Sequence, residues 1–98
     1  MSYLDHMVAD ARLVILKALS KQTDGRLNEV IITAELDSFG HKRSREWVRT
    51  QLNKLEELGA LINVLQGTVM VAGITRLGLA HVERREVIDG VAKPSPEF

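Results

Sequence analysis

The chain has no cysteine, two prolines, four aromatic residues and a formal net charge of zero in 98 residues. Without cysteine there can be no disulfide and no thiolate metal site, which fits a reducing compartment. Charge balance counts against a strong non-specific nucleic-acid binder, which carries an excess of positive charge. No apolar run approaches the roughly 18 residues that cross a bilayer, and no signal-peptide pattern opens the chain, so the expected location is the cytoplasm. The segment Leu61 to Ile74 lacks Lys and Arg altogether. No glycine-rich phosphate loop is present, and neither the three histidines (His6, His41, His81) nor the carboxylates show metal-ligand or catalytic spacing. An enzyme is therefore not expected, nor is a cofactor, a metal or a small-molecule effector.

What is present is a chain of one-domain length with an ordinary 45% apolar share. The expected domain covers residues 1–90, with an extended tail over 91–98 marked by Pro94 and Pro96. Its charge is locally polarised. His41 to Thr50 carries Lys42, Arg43, Arg45 and Arg49 against Glu46, whereas Asp24 to Gly40 carries Asp24, Glu29, Glu35 and Asp37 against Arg26.

Periodicity and punctuation predict the elements. A first helix spans Leu4 to Lys21, opened by a Ser2/Asp5 capping box, with Val8, Ala11, Ile15, Ala18 and Leu19 on one face. The run Leu13–Leu16 covers more than one face, so this helix is either sunk in the core or paired with a second chain. Asp24-Gly25 marks a turn. Asn28 caps a second helix from Glu29 to Phe39 with Val30, Ile31, Ala34 and Phe39 as its apolar positions. The β-branched Val30–Thr33 also suits a strand. Gly40 ends that helix. Ser44 caps a third, Arg45 to Leu58, with Val48, Leu52, Leu55 and Leu58 as one stripe and Gly59 as its stop. Strands Leu61–Leu65 and Thr68–Ile74 flank a Gln66-Gly67 turn, and Thr75 caps a last helix reaching about Asp89, with Leu77, Ala80 and Val87 as core contacts.

The order helix, helix, helix, hairpin, helix gives an α+β, mostly α, winged helix-turn-helix: three helices, a two-stranded wing and a C-terminal helix. On a wheel of 100° per residue, burying Val48, Leu52 and Leu55 turns Glu46, Arg49, Thr50, Asn53 and Glu57 outward, with Arg45 on the flank. In that docking geometry the start of the helix meets base edges and the flanking basic residues meet phosphates. Candidate DNA-binding residues are thus Lys42, Arg43, Ser44, Arg45, Arg49, Thr50 and Asn53. Arg49 suits guanine, Asn53 suits adenine, and Lys42 and Arg43 suit phosphate. His41 could add a phosphate contact, and Trp47 is a rim aromatic or a base-stacking platform. The bland reading of the same cluster is a solvated charged face.

The pieces DARLVILKAL (Asp10–Leu19), RLNE (Arg26–Glu29), FGHKRSREWVRTQL (Phe39–Leu52), LEELGA (Leu55–Ala60) and VIDGVAKPSP (Val87–Pro96) together resemble the small winged-helix, ArsR-like proteins of Mu-like phages and prophages. The resemblance covers nearly the whole chain. It implies a sequence-specific double-stranded DNA-binding protein, a phage-type transcriptional regulator, with the reading role on Arg43, Ser44, Arg45, Arg49 and Asn53. Metal-sensing ArsR proteins carry a cysteine pair that this chain lacks, so metal response is not implied. A homodimer through the first and last helices is the expected assembly. The competing expectation is a winged-helix protein-interaction module without DNA binding, docking through a wing face of Leu61, Ile62, Val64, Val69 and Val71.

Overall fold

Ser2 starts α1 (Tyr3–Ser20) with a reciprocal cap in the computed structural model, which describes residues 2–96. The Ser2 hydroxyl accepts from the Asp5 N–H at 3.2 Å, and the Asp5 carboxylate accepts from the Ser2 N–H at 3.2 Å. The helix then runs through the middle of the molecule. α2 (Glu29–Ser38), α4 (Arg76–Val82) and the sheet all pack on it. Leu13 to Leu16 are buried within one chain, so this run by itself calls for no second subunit.

The described residues form an α+β architecture, with four helices and a three-stranded antiparallel sheet of order β1-β3-β2. Strand β1 (Arg26–Asn28) lies where only a polar turn is expected. A three-residue strand with one apolar member has too little alternation to be seen in sequence. It pairs with β3 (Val69–Ile74), Leu27 opposite Ala72. β2 (Leu61–Gln66) pairs with the other edge of β3, ending at Gln66 opposite Val69. The hairpin turn is therefore Gly67-Thr68, one residue beyond the expected Gln66-Gly67, because Gly67 takes the positive φ at the first turn position. Leu61, Met70 and Ala72 point into the core, whereas Ile62 and Val64 stay more than half exposed.

α2 is a helix despite its β-branched run, because the Asn28 side chain accepts from the Ile31 N–H at 2.9 Å and sets the first turn. Its rotation differs from the expected one. Glu29, Ile32 and Leu36 face inward, while Val30, Ile31, Ala34 and Phe39 are exposed. A carboxylate takes an inward position, for the reason given below.

α3 (Arg45–Glu57) follows the expected frame, with Val48, Leu52 and Leu55 fully buried and Leu58 half-buried as the C-cap. α2 and α3 both end at a left-handed glycine, Gly40 and Gly59, with the next N–H returning to the last turn: His41 to Leu36 O at 2.9 Å, and Ala60 to Leu55 O at 2.9 Å.

α4 stops at Val82, well before Asp89. Arg84 adopts φ 64 and the Arg85 N–H reaches Ala80 O at 2.8 Å, the same closing motif with arginine in the glycine place. Of the three expected core contacts Ala80 is buried, with Gly78 and His81 beside it, whereas Leu77 in the first turn and Val87 beyond the end of the helix are exposed. Beyond it the described residues form neither helix nor strand, yet they are not free. Ile88, Val91 and Pro94 are buried. His81 accepts from the Ile88 N–H at Nδ1 (3.0 Å) and donates from Nε2 to Ala92 O (2.8 Å), while the Ala92 N–H reaches Ala9 O on α1 at 3.1 Å. The final two positions of the expected tail, 97–98, lie outside the described residues.

α4 meets the α3–β2 corner without clearance. The Thr75 N–H donates to Ala60 O at 3.1 Å and its hydroxyl to Gly59 O at 2.6 Å. A Cβ on Gly78 would sit 2.1 Å from Ala60 O and 2.9 Å from Ile74 Cγ1, so backbone would have to shift. Gly78→Ala is therefore expected to cost about 1–3 kcal/mol, read as a lower urea midpoint with unchanged m-value. Gly73→Ala is the control, since its Cβ would meet only the flexible Arg26 side chain, Cγ at 3.4 Å and Nε at 3.7 Å, and it should move the midpoint far less. Equal midpoints for the two variants would remove the close-approach argument.

Candidate nucleic-acid interface

The basic run folds as an exposed approach to an exposed helix start. Ser44 Oγ accepts from the Trp47 N–H at 3.1 Å and fixes the first turn of α3. Lys42, Arg43, Ser44 and Arg45 are exposed at that end, and Glu46, Thr50, Asn53 and Glu57 are exposed along the outward face. The Arg43 guanidinium lies over the Trp47 ring at 4.9 Å. That ring is half-buried against the core, so Trp47 is the rim aromatic, with Arg43 over one of its faces. His41 is 5% exposed, and its Nε2 meets Asp10 on α1 at 2.7 Å, which takes it away from the phosphate-contact position considered for it.

Beneath the two arginines sits the residue that sequence reasoning did not single out. Glu29, the first residue of α2, has no exposed surface. Arg49 grips it with Nε on Oε1 at 3.1 Å and Nη2 on Oε2 at 2.5 Å. Arg45 Nε stands 3.1 Å from Oε1, and the Met70 N–H of β3 donates to Oε2. Arg49 Nη2 also donates to Thr68 O in the hairpin turn at 2.9 Å. One carboxylate thereby joins α2, α3 and the hairpin. Burial of a lone charge would be prohibitive, so these donors are the condition for Glu29 to face inward. The signal that could have revealed it is positional: Glu29 shares a stripe with Ile32 and Leu36, and two arginines follow at the start of the next helix.

The electrostatics agree. The hydrogen bond from Arg49 is the main cause that holds the Glu29 carboxyl down to about 2 against its ordinary 4.5. Burial opposes it, and Arg45 and the Met70 N–H add to it. The Arg49 guanidinium is pushed up in turn by Glu29.

This geometry redistributes the expected roles. The Arg45 and Arg49 side chains remain 45% and 37% exposed. Arg49, however, has its Nε and Nη2 donors committed. Turning that fork to a guanine would leave a buried carboxylate short of its chief partner, at a cost of about 1–3 kcal/mol. A bidentate base contact returns about the same. The exposed groups that reach outward without this cost are Lys42, Arg43 and Asn53, together with the Thr50 hydroxyl as an acceptor, since its hydrogen goes to Glu46 O at 3.1 Å. Among the described residues, no group of three or more His, Asp or Glu could hold a metal ion, and no helix is long and apolar enough to cross a membrane.

No family model matches the chain, and no solved structure does. Two relatives do. An uncharacterized protein of Haemophilus influenzae is 46% identical over 77 residues, covering 78% of this chain and 74% of its own length. The uncharacterized protein gp26 of Escherichia phage Mu is 36% identical over 93 residues, covering 94% of this chain and 95% of its own length. The chain belongs to the family of these proteins, which ties it to Mu-like phages.

Because Glu29 is held near 2 when folded and titrates near 4.5 when unfolded, its contribution to stability is complete above 4.5 and is lost as pH falls toward 2. Urea unfolding between pH 2 and 6 should show wild type losing stability on the acid side more steeply than Glu29→Gln, with the variant weaker by about 1–3 kcal/mol at neutral pH. Parallel pH profiles would mean that the pairing contributes no net stability.

Proposed function

We propose that this member of the Mu-like phage family is a sequence-specific double-stranded DNA-binding protein of winged helix-turn-helix form, serving as a transcriptional regulator in the cytoplasm of the host cell. The observation that carries the reading is the exposed basic entry to α3, with Lys42, Arg43 and Arg45 in front of and on the first turn of a helix whose opposite face is wholly buried. The order of elements supports it too. Two helices joined by a short turn precede a hairpin, as the helix-turn-helix and wing would. Lys42 and Arg43 serve phosphates, the free N–H groups at the start of α3 add an anion site, and Thr50 and Asn53 meet base edges. Arg45 divides its guanidinium between Glu29 and the DNA.

Two half-sites one helical turn apart would take a homodimer. The exposed Tyr3 and Leu4 at the start of α1 offer apolar surface for it, with α4 contributing less than its expected length implied.

A second reading, a protein-interaction module, draws on the outer face of the sheet, where Ile62 is 59% and Val64 55% exposed and Val71 half-buried, in a hairpin with no basic residue.

Selection of bound duplexes from a random pool decides between them. An enriched motif is expected, with affinity falling steeply as salt rises. Lys42→Ala and Arg43→Ala should each reduce the salt slope by about one and weaken binding uniformly across sequences. No enrichment, with weak binding that ignores salt, would overturn the DNA reading in favour of the sheet face.

A further inference from the structure

We infer that Arg49 is a positioning residue that clamps the hairpin turn to the reading helix through Glu29, leaving sequence readout to Thr50 and Asn53. The inference rests on the DNA-binding reading for its functional half and on geometry alone for its structural half. Arg49 occupies the middle of the outward face of α3, where a base-reading arginine would stand, but its donors point back into the protein. The Nε hydrogen goes to Glu29 Oε1, and Nη2 serves both Glu29 Oε2 and Thr68 O. Only Nη1 is left, and one nitrogen cannot present the two-nitrogen fork that reads guanine. Glu29 closes the loop by accepting from the Met70 N–H just past the turn. The hairpin tip is therefore held at two backbone points, Thr68 O and Met70 N, by a guanidinium on α3 and a carboxylate on α2.

The rest of the molecule shows why such a clamp matters. Residues Leu61 to Ile74 carry no Lys or Arg, so the hairpin has no charge with which to find a phosphate by itself. Its placement beside bound DNA must come from the protein. Glu56 braces the strand leading to the tip, accepting from the Asn63 N–H at 2.9 Å, and Asn63 donates to Leu52 O at 2.9 Å. Contacts along α3 thus hold the hairpin, with Arg49 serving the tip and Leu52 and Glu56 the strand that leads to it. Lysine in place of Arg49 keeps the charge but has no planar fork to share between Glu29 and Thr68.

The test is a double-variant cycle on the selected duplex, with amide hydrogen exchange at Thr68 to Met70 in the free protein. Arg49→Lys, Arg49→Ala and Glu29→Gln should each lose about tenfold in affinity, the order of one charge-assisted hydrogen bond. The Glu29→Gln/Arg49→Ala double variant should lose no more than the worse single variant. Lysine should not rescue, the salt slope should stay that of wild type, and exchange at the turn should quicken in every variant. Asn53→Ala should instead collapse the preference for the selected over a scrambled duplex while leaving turn exchange unchanged. Additive losses, a reduced salt slope in Arg49→Ala, or Glu29→Gln binding as well as wild type would make Arg49 a direct DNA contact and overturn the inference. If wild type selects no duplex, the DNA reading fails separately. Exchange at the turn then decides the clamp, with unchanged protection in Arg49→Ala refuting it.

Discussion

Glu29 is the constraint on which the arrangement of the other elements depends. A carboxylate with no exposed surface is tolerable only while its charge is matched, and three groups on two elements match it: Arg45 and Arg49 on α3, and the Met70 N–H on β3. The requirement works both ways. The arginines fix which way α2 rolls, turning Ile32 and Leu36 to the core and leaving Val30 and Ile31 in water. The carboxylate fixes where the arginines lie, and through Thr68 it fixes how close the hairpin tip stands to α3. Non-directional apolar packing could accept several rolls of α2, since its apolar residues surround the helix. A hydrogen-bonded ion cluster accepts one.

Much of this fold can be read from sequence because its punctuation is strong. Ser2, Asn28, Ser44 and Thr75 each cap the helix expected of them, and Gly40 and Gly59 end α2 and α3 in the left-handed conformation. The stripe Val48, Leu52, Leu55 fixed the outward face of α3 without ambiguity. The parts that escaped share a cause: each is set by a tertiary partner that local pattern cannot name. Strand β1 exists because β3 offers an edge to Leu27. α4 ends early because Arg84 takes a conformation usually left to glycine, and His81 then gathers the following chain back onto the core. The roll of α2 depends on a pairing twenty residues away. For the site, the exposed positions of Thr50 and Asn53 were legible from the wheel, and those of Lys42, Arg43 and Ser44 from the basic run that leads to the Ser44 cap. The engagement of Arg49 was not, because an arginine on an outward face looks the same in sequence whether it faces solvent or a buried acid.

The charge distribution takes on a different sense with the structure in view. A chain of zero net charge has little long-range attraction for a polyanion, and two of the four basic residues near the start of α3 are partly neutralised by Glu29. The positive surface that remains is small and concentrated at Lys42 and Arg43, with the latter steadied over Trp47. Such a surface favours recognition that depends on fit over adhesion to any duplex, because phosphate contacts that are few contribute little sequence-independent affinity. In the proposed complex with DNA, fit demands rigid placement of whatever touches the duplex. That is where the buried cluster and the crowded Gly78 corner converge. One holds the tip of the hairpin against α3 through Thr68 and Met70, and the other holds its base against the end of α3 through Thr75, so the position of the uncharged hairpin is set from within the protein.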